Sequence, residues 1–227
     1  MITIKKPSTW VVYQYLACTF CMILVLSNIL SAKLVKLPYL ENIIIPVGLI
    51  TYPFTFFISD LVTEIFGAQK AKMMVYMAFC MNLIALLMIQ FSLSLPNISA
   101  DDDKIFKSVL GLSGMRILAS LAAYLAAQLV DIQLYAWIKK LTGQKHLWLR
   151  NNGSTCASQL LDTIIVDMIY LFGLLGMGMS DVVSIILVSY AYKAIFSFVV
   201  TPLFYLAVNA VKSHIVLPNN LTKLQEV

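Results

Sequence analysis

The stretch GLSGMRILASLAAYLAAQLVDIQLYAWIK, Gly111–Lys139, decides how this chain folds. It is apolar and alanine-rich over a length that suits a membrane-spanning helix, yet it carries Arg116, Ser120, Tyr124, Gln128, Asp131 and Tyr135 at spacings of three or four residues. At ~100° of turn per residue these six fall within an arc of roughly 120°. One side of the helix is polar and charged in a segment whose remainder belongs in lipid. Ionisable groups are costly in hydrocarbon, so such a side faces a cavity or a partner.

The composition sets the same class for the whole chain. Of 227 residues 60% are hydrophobic and 12% charged, and the mean hydropathy is +0.87. That apolar surface exceeds what one soluble core of this size would bury. The reading is an all-α, polytopic membrane protein. A crossing needs about 20 residues, and six candidates are present, at roughly 11–31, 43–65, 72–95, 112–138, 155–177 and 183–211. Their connections are short, so residues 1–227 read as a single membrane-embedded domain.

Orientation follows from the sixteen Lys and Arg residues. Lys5, Lys6, Lys70, Lys72, Lys139, Lys140, Lys145, Arg150, Lys212 and Lys223 flank one side, and Lys33, Lys36, Lys104 and Lys107 the other. Arg116 and Lys193 lie inside spans. The positive-inside rule then places both termini in the cytoplasm. The basic pI of about 9.0 needs no nucleic-acid partner, because cytoplasmic positive charge beside anionic lipid accounts for it. The first apolar stretch is too long for the core of a cleaved signal peptide.

Cysteine and histidine exclude several chemistries. Cys18 and Cys21 form a C-x-x-C inside the first span, where thiolates would sit in hydrocarbon, so packing is the expected role. Cys80 and Cys156 are isolated, and His146 and His214 both lie near membrane surfaces. No metal cluster, hydrolytic triad or cofactor motif can be assembled from them. The expectation is that the chain is not an enzyme and needs no cofactor.

Two further polar stripes accompany the first. In the second span Tyr52, Phe56, Asp60 and Glu64 recur every four residues, with Ser59 and Thr63 beside them. In the fifth, Asn152 or Ser154 suits an N-cap, after which Thr155, Ser158, Gln159 and Asp162 share one arc. Counted from those ends, Asp60, Asp131 and Asp162 each lie roughly 10–12 Å inside the span. Three carboxylates at one level imply a polar chamber. The span acids Asp60, Glu64, Asp131, Asp162 and Asp167 outnumber the span bases Arg116 and Lys193. Excess acids either stay neutral or meet a cation or a polar ligand, and both outcomes suit transport. The row Ala119, Ala123, Ala127 borders the first stripe and permits close helix approach.

Three strings in this order carry a family resemblance. They run from Tyr52-Pro53-Phe54-Thr55-Phe56 through Ser59-Asp60 and Thr63-Glu64 to Gly67, from Arg116 through Ser120, Tyr124 and Gln128 to Asp131, and from Arg150-Asn151 through Ser154-Thr155 and Ser158-Gln159 to Asp162-Thr163. The chain resembles the queuosine precursor transporter family, also called the vitamin uptake transporter family. The resemblance implies a six-helix uptake protein of the bacterial inner membrane. Its architecture would be similar to that of the substrate-binding subunits of energy-coupling-factor importers. The implied cargo is a 7-deazaguanine base, in its cyano or aminomethyl form, or queuine, destined for tRNA queuosine.

On that resemblance Asp60 or Asp131 would grip the guanine-like edge, and Gln128 and Gln159 would read its carbonyl side. Tyr52, Phe56 or Tyr124 would stack on the ring, with Ser158 beside them. Asp162 or Glu64 would neutralise an amine or carry a coupling proton, and Arg116 and Lys193 would act as gate or counter-ion. Without a P-loop the chain would not hydrolyse ATP itself, so a homo-oligomer or a separate energising module stays open. The alternatives are a transporter or binding subunit for another purine-like or vitamin-like molecule, and a membrane scaffold.

Overall fold

The computed structural model describes residues 8–31, 33–37, 40–96, 98–111, 114–143, 145–174 and 176–214. Helix α1, Thr9–Leu30, starts at Ser8, whose side chain accepts from the Val11 N–H and so satisfies one of the free amides of the first turn. Strands β1, Leu34–Leu37, and β2, Leu40–Pro46, form an antiparallel ribbon in which Leu34 pairs with Pro46 and the register shifts between Lys36 and Leu37. The chain then returns as α2, Gly48–Thr51, and α3, Pro53–Phe66.

The segment expected to cross as one helix over 43–65 is therefore different. Its first residues belong to the ribbon, and its helical part is divided at Pro53. Proline has no N–H to donate and its ring crowds the carbonyl four residues back. Tyr52 nevertheless keeps helical angles, φ −57° and ψ −42°, so the direction of the helix carries through from Gly48 to Phe66. Gly48 seats this entry against α1. A Cβ there would collide with the Ser27 carbonyl and the Ser31 hydroxyl.

Gly67 ends α3 at φ 87°, a conformation open to glycine, and α4, Ala68–Ser94, starts at the next residue. Helix α5, Ala100–Leu110, is an addition to the expected set, a short amphipathic helix with Lys104–Asp101 and Lys107–Asp103 pairs on its surface. Helix α6, Gly114–Thr142, contains the polar stripe from Arg116 to Tyr135. Helix α7, Leu147–Asp167, runs on through a π-helical turn at Met168–Leu174. Helix α8, Met179–His214, includes Pro202.

The helical class expected from composition holds, with the short ribbon added. Thr9–Leu30, Ala68–Ser94, Ser120–Thr142, Leu147–Gly173 and Met179–Ser213 are each long and apolar enough to cross a membrane. Burial is inverted relative to a soluble protein. Leu87, Met88 and Phe91 on α4 and Val199 and Leu206 on α8 are exposed, whereas Asp60, Gln128, Asp131, Ser154 and Ser158 are buried. A surface of that kind is at rest in lipid.

Helix α7 begins eight residues before the expected 155. Neither Asn152 nor Ser154 caps it; both lie buried inside the helix, and His146 stands at the cap position. Asn152 instead ties α7 to α8, donating to Thr201 at 2.8 Å and accepting from Ser197 at 2.9 Å. These bonds brace α8 beside Pro202, where the helix lacks one backbone donor.

The ends of the helices gather in two groups. At one end Lys139 and Lys212, near the C-terminal ends of α6 and α8, both reach Glu64 at the end of α3. Tyr13, in the second turn of α1, reaches the Lys70 carbonyl at the start of α4 there as well. At the other end Ser27 of α1 bonds Thr51 of α2 at 2.7 Å.

Candidate functional site

The three polar stripes meet. On α3 the four-residue rhythm Tyr52, Phe56, Asp60, Glu64 lines up residues on one face, and α6 and α7 turn their own polar faces toward it. Thr155 donates to Asp60 Oδ2 at 3.1 Å, Ser158 donates to Asp131 Oδ1 at 2.9 Å, and the Tyr52 hydroxyl donates to Asp162 Oδ1 at 2.9 Å. The Gln128 amide reaches Thr55 Oγ1 at 3.5 Å. Read from the Glu64 end, α3 and α6 ascend backwards in sequence while α7 ascends forwards, and polar partners match at each turn.

The lowest layer is an ion knot around Glu64. Its buried carboxylate takes Arg150 at 3.0 Å, Lys212 at 3.1 Å and Lys139 at 3.4 Å, and the Tyr135 hydroxyl donates to it at 3.1 Å. Lys139 also donates to the Glu64 carbonyl at 2.8 Å. Arg150, only 2% exposed, donates in addition to the Gly143 and Lys145 carbonyls, closing the C-terminal end of α6. One carboxylate thus joins α3, α6, α7 and α8. Glu64 is engaged by three cations, which leaves it little capacity to meet an amine.

Above the knot lie Asp60 and Asp131, whose carboxyl groups come within hydrogen-bonding reach of each other. Asp60 Oδ1, Asp131 Oδ2, Gln128 Oε1, Gln159 Oε1 and Ser59 Oγ are buried without a hydrogen-bond partner among the described residues. Buried polar atoms are nearly always satisfied, so these acceptors on α3, α6 and α7 mark where an incoming donor would gain most.

The third layer holds Asp162 and Lys193. The Lys193 ammonium donates to Asp162 Oδ2 at 2.8 Å and to Thr163 at 3.0 Å, and stands 5.4 Å from the Tyr52 ring centroid. Tyr52 packs with Phe56 and with Tyr124, ring centroids 5.6 Å apart in both cases. The three aromatic residues expected to stack on a ligand therefore form one cluster, between the acid layer and the Lys193 pair.

The expected single level of Asp60, Asp131 and Asp162 does not hold. Because α7 starts at Leu147, Asp162 lies about 22 Å along that helix, and its hydroxyl partner is Tyr52, two turns from Asp60. The side chain of Arg116, expected as a gate, lies outside the described residues, as does that of Ala119. Ala123 and Ala127 are fully buried. Cys21 packs in the core and Cys18 is exposed.

The sequence places Tyr135 and Thr155 on the polar stripes and Thr55 and Arg150 in the family strings without giving them a role, and it offers Lys139 and Lys212 only as flanking charge. Lys139 continues the α6 rhythm four residues beyond Tyr135, and Arg150 precedes Ser154 and Ser158 at the same interval. Both signals were hidden by placing the helix ends short of these residues. The walls also touch directly. A groove of 650 Å³ lies on the outer face of α4 around Met73, Tyr76 and Met77, and a 30 Å³ cavity lies between α1, α4 and α5 beside Asn28 and Asn82. Hydrogen bonds between the stripes join α3, α6 and α7 directly.

Residues 46–207 match the family described as "Putative vitamin uptake transporter". A relative from Bacillus subtilis (strain 168), named "Probable queuosine precursor transporter", is 29% identical over 180 residues, 78% of this chain and 77% of its own. A protein of the same name from Haemophilus influenzae (strain ATCC 51907 / DSM 11121 / KW20 / Rd) is 29% identical over 121 residues, 52% of this chain and 48% of its own. No solved structure matches the chain. With the family match covering most of its length, the chain belongs to the vitamin uptake transporter family: it is a multi-pass membrane transporter of a small substrate, and not an enzyme.

Proposed function

We propose that this protein imports a queuosine precursor, a 7-deazaguanine base or queuine, across the plasma membrane for tRNA queuosine. The observation that carries the reading is the set of buried acceptors at Asp60, Asp131, Gln128 and Gln159 that lack partners among the described residues. A guanine-like edge offers a ring N–H and an exocyclic amine side by side, and carboxylates accept such a pair. The Tyr52, Phe56 and Tyr124 cluster borders those acceptors and supplies flat surfaces for a purine-like ring. Ser158 holds Asp131 in place, and Gln159 lies one residue further on α7.

Six crossings fit the gathering of helix ends. The run from Gly48 to Phe66 is about 28 Å long at ~1.5 Å per residue, and it returns the chain from the ribbon end to the Glu64 end. The Glu64 end, with Lys70, Lys139, Lys140, Lys145 and Lys212, is then the cytoplasmic one. Glu64 and its cations close the path on that side, and the Asp162–Lys193 pair with Tyr52 closes it on the other.

The test is uptake in cells that cannot synthesise the precursor, scored by queuosine in tRNA. Expression of the chain restores the modified nucleoside when base is supplied. Full uptake by Asp60→Asn, Asp131→Asn and Asp162→Asn at equal expression would remove the site from the argument.

A further inference from the structure

Asp60 and Asp131 are arranged in a way that their hydroxyl partners do not explain. Thr155 satisfies one oxygen of Asp60 and Ser158 one oxygen of Asp131. Among the described residues the remaining oxygens, Asp60 Oδ1 and Asp131 Oδ2, lack a well-aligned donor, although the Ser154 hydroxyl lies near Asp131 and the two carboxyl groups lie within hydrogen-bonding reach of each other. Carboxylate oxygens only accept, so two of them can bond each other only through a proton. In a water-poor interior two bare carboxylates at this separation repel strongly unless hydrogen-bond donors stand between them.

The described cations nearest the pair are committed elsewhere. Along α3 the neighbouring acid is Glu64, which holds Arg150 of α7, Lys139 of α6 and Lys212 of α8. Lys193 of α8 holds Asp162 of α7. On α6 itself Tyr135 donates to Glu64 and Tyr124 packs on Tyr52. Helix α1 brings Cys21 toward Tyr124. On α4, Tyr76 and Cys80 are exposed and Lys70 lies over the Trp10 ring.

We propose that Asp60 and Asp131 hold one proton between them and release it when the N–H edge of a purine-like base takes its place. The inference rests on the reading of the chain as an importer of such a base. In the exchange the shared O–H···O bond is lost, N–H···O bonds from the ligand form to the same oxygens, and the proton passes to water. Binding is then weakened by acid, and a gradient that is acidic outside does not by itself load the site.

Infrared difference spectroscopy on the purified protein in lipid nanodiscs tests the first half without ligand. A buried carboxylic-acid carbonyl band at neutral pH, shifted in D2O and absent from Asp60→Asn and Asp131→Asn, is the expected result. Its absence from the wild type overturns the proposal, whether or not the variants fold. The second half uses 7-cyano-7-deazaguanine, which carries no ionisable amine of its own. Titration calorimetry in buffers of different ionisation enthalpy should read about one proton released per base bound, with loss of the acid band. Binding with the band intact and no proton released overturns the exchange. Failure of every deazaguanine base to bind overturns the reading of the cargo, and the exchange with it, while the ligand-free band still decides whether the pair is protonated.

Discussion

The Arg150 guanidinium meets the Glu64 carboxylate at 3.0 Å, with both side chains removed from solvent. Arg150 is also the residue that closes the carbonyl end of α6, through Gly143 and Lys145. The start of α7, the end of α6 and the end of α3 are therefore fixed relative to one another by a single side chain.

Removing Glu64 leaves Arg150 charged and buried without an acid, which costs about 3–5 kcal/mol; removing Arg150 leaves Glu64 to Lys139 and Lys212 but strands the Gly143 and Lys145 carbonyls at the end of α6. Arg150→Ala and Glu64→Gln should both lower the melting temperature of the detergent-solubilised protein strongly. Lys212→Ala should lower it much less, because that side chain is 40% exposed and water can replace it. Equal melting of Arg150→Ala and wild type would show that the knot does not hold the bundle.

Ser59 is a buried hydroxyl without a hydrogen-bond partner among the described residues. Replacing an unsatisfied hydroxyl by a methyl group removes a desolvation penalty, so Ser59→Ala should be neutral or stabilising by about 1 kcal/mol in the absence of ligand. Thr155→Ala has the opposite sign, because it deprives Asp60 of its donor. Thermal melts of the two variants side by side check the contrast.

Asp162 and Lys193 are bonded at 2.8 Å inside the bundle. Lys193→Met alone strands a carboxylate and should reduce folded yield, whereas Lys193→Met combined with Asp162→Asn should recover it. Uptake by the double variant should stay low if the pair also closes the path. Fluorescence-detected size-exclusion chromatography and the uptake assay read the two effects separately.

Gly48→Ala places a methyl group against the Ser27 carbonyl of α1. Backbone cannot yield as a side chain can, so the α1–α2 contact opens and stability falls by an overpacking cost of about 1–3 kcal/mol. Gly153→Ala is the control, since its added Cβ meets only the end of the Ile138 side chain, at 3.3 Å. Melting temperatures of the two variants give the comparison.

Topology has its own test. In a background where Cys18, Cys21, Cys80 and Cys156 are replaced, Asp101→Cys on α5 should react with an impermeant maleimide from outside intact cells. Lys140→Cys at the end of α6 should react only after the membrane is opened. The reverse pattern would invert the orientation.

The sequence by itself determined the class, the family and the faces. Apolar composition demands lipid, and a period of 3.6 residues fixes which side chains share a helix face, so Asp60, Gln128, Asp131, Ser158 and Asp162 were legible as inward-facing residues. Periodicity gives an angle around each axis but no offset along it. That offset depends on where each helix starts and how its neighbours seat, and the start of α7 at Leu147, eight residues before the expected one, moved Asp162 out of the acid layer and brought Arg150 to Glu64. Tertiary structure alone decided the partners: Glu64 bound by three cations, Asp162 by Lys193, and Asp60 facing Asp131 with no base between them among the described residues. The reason is that a buried charge is settled by what lies opposite it across the bundle, and nothing local in the chain encodes that neighbour.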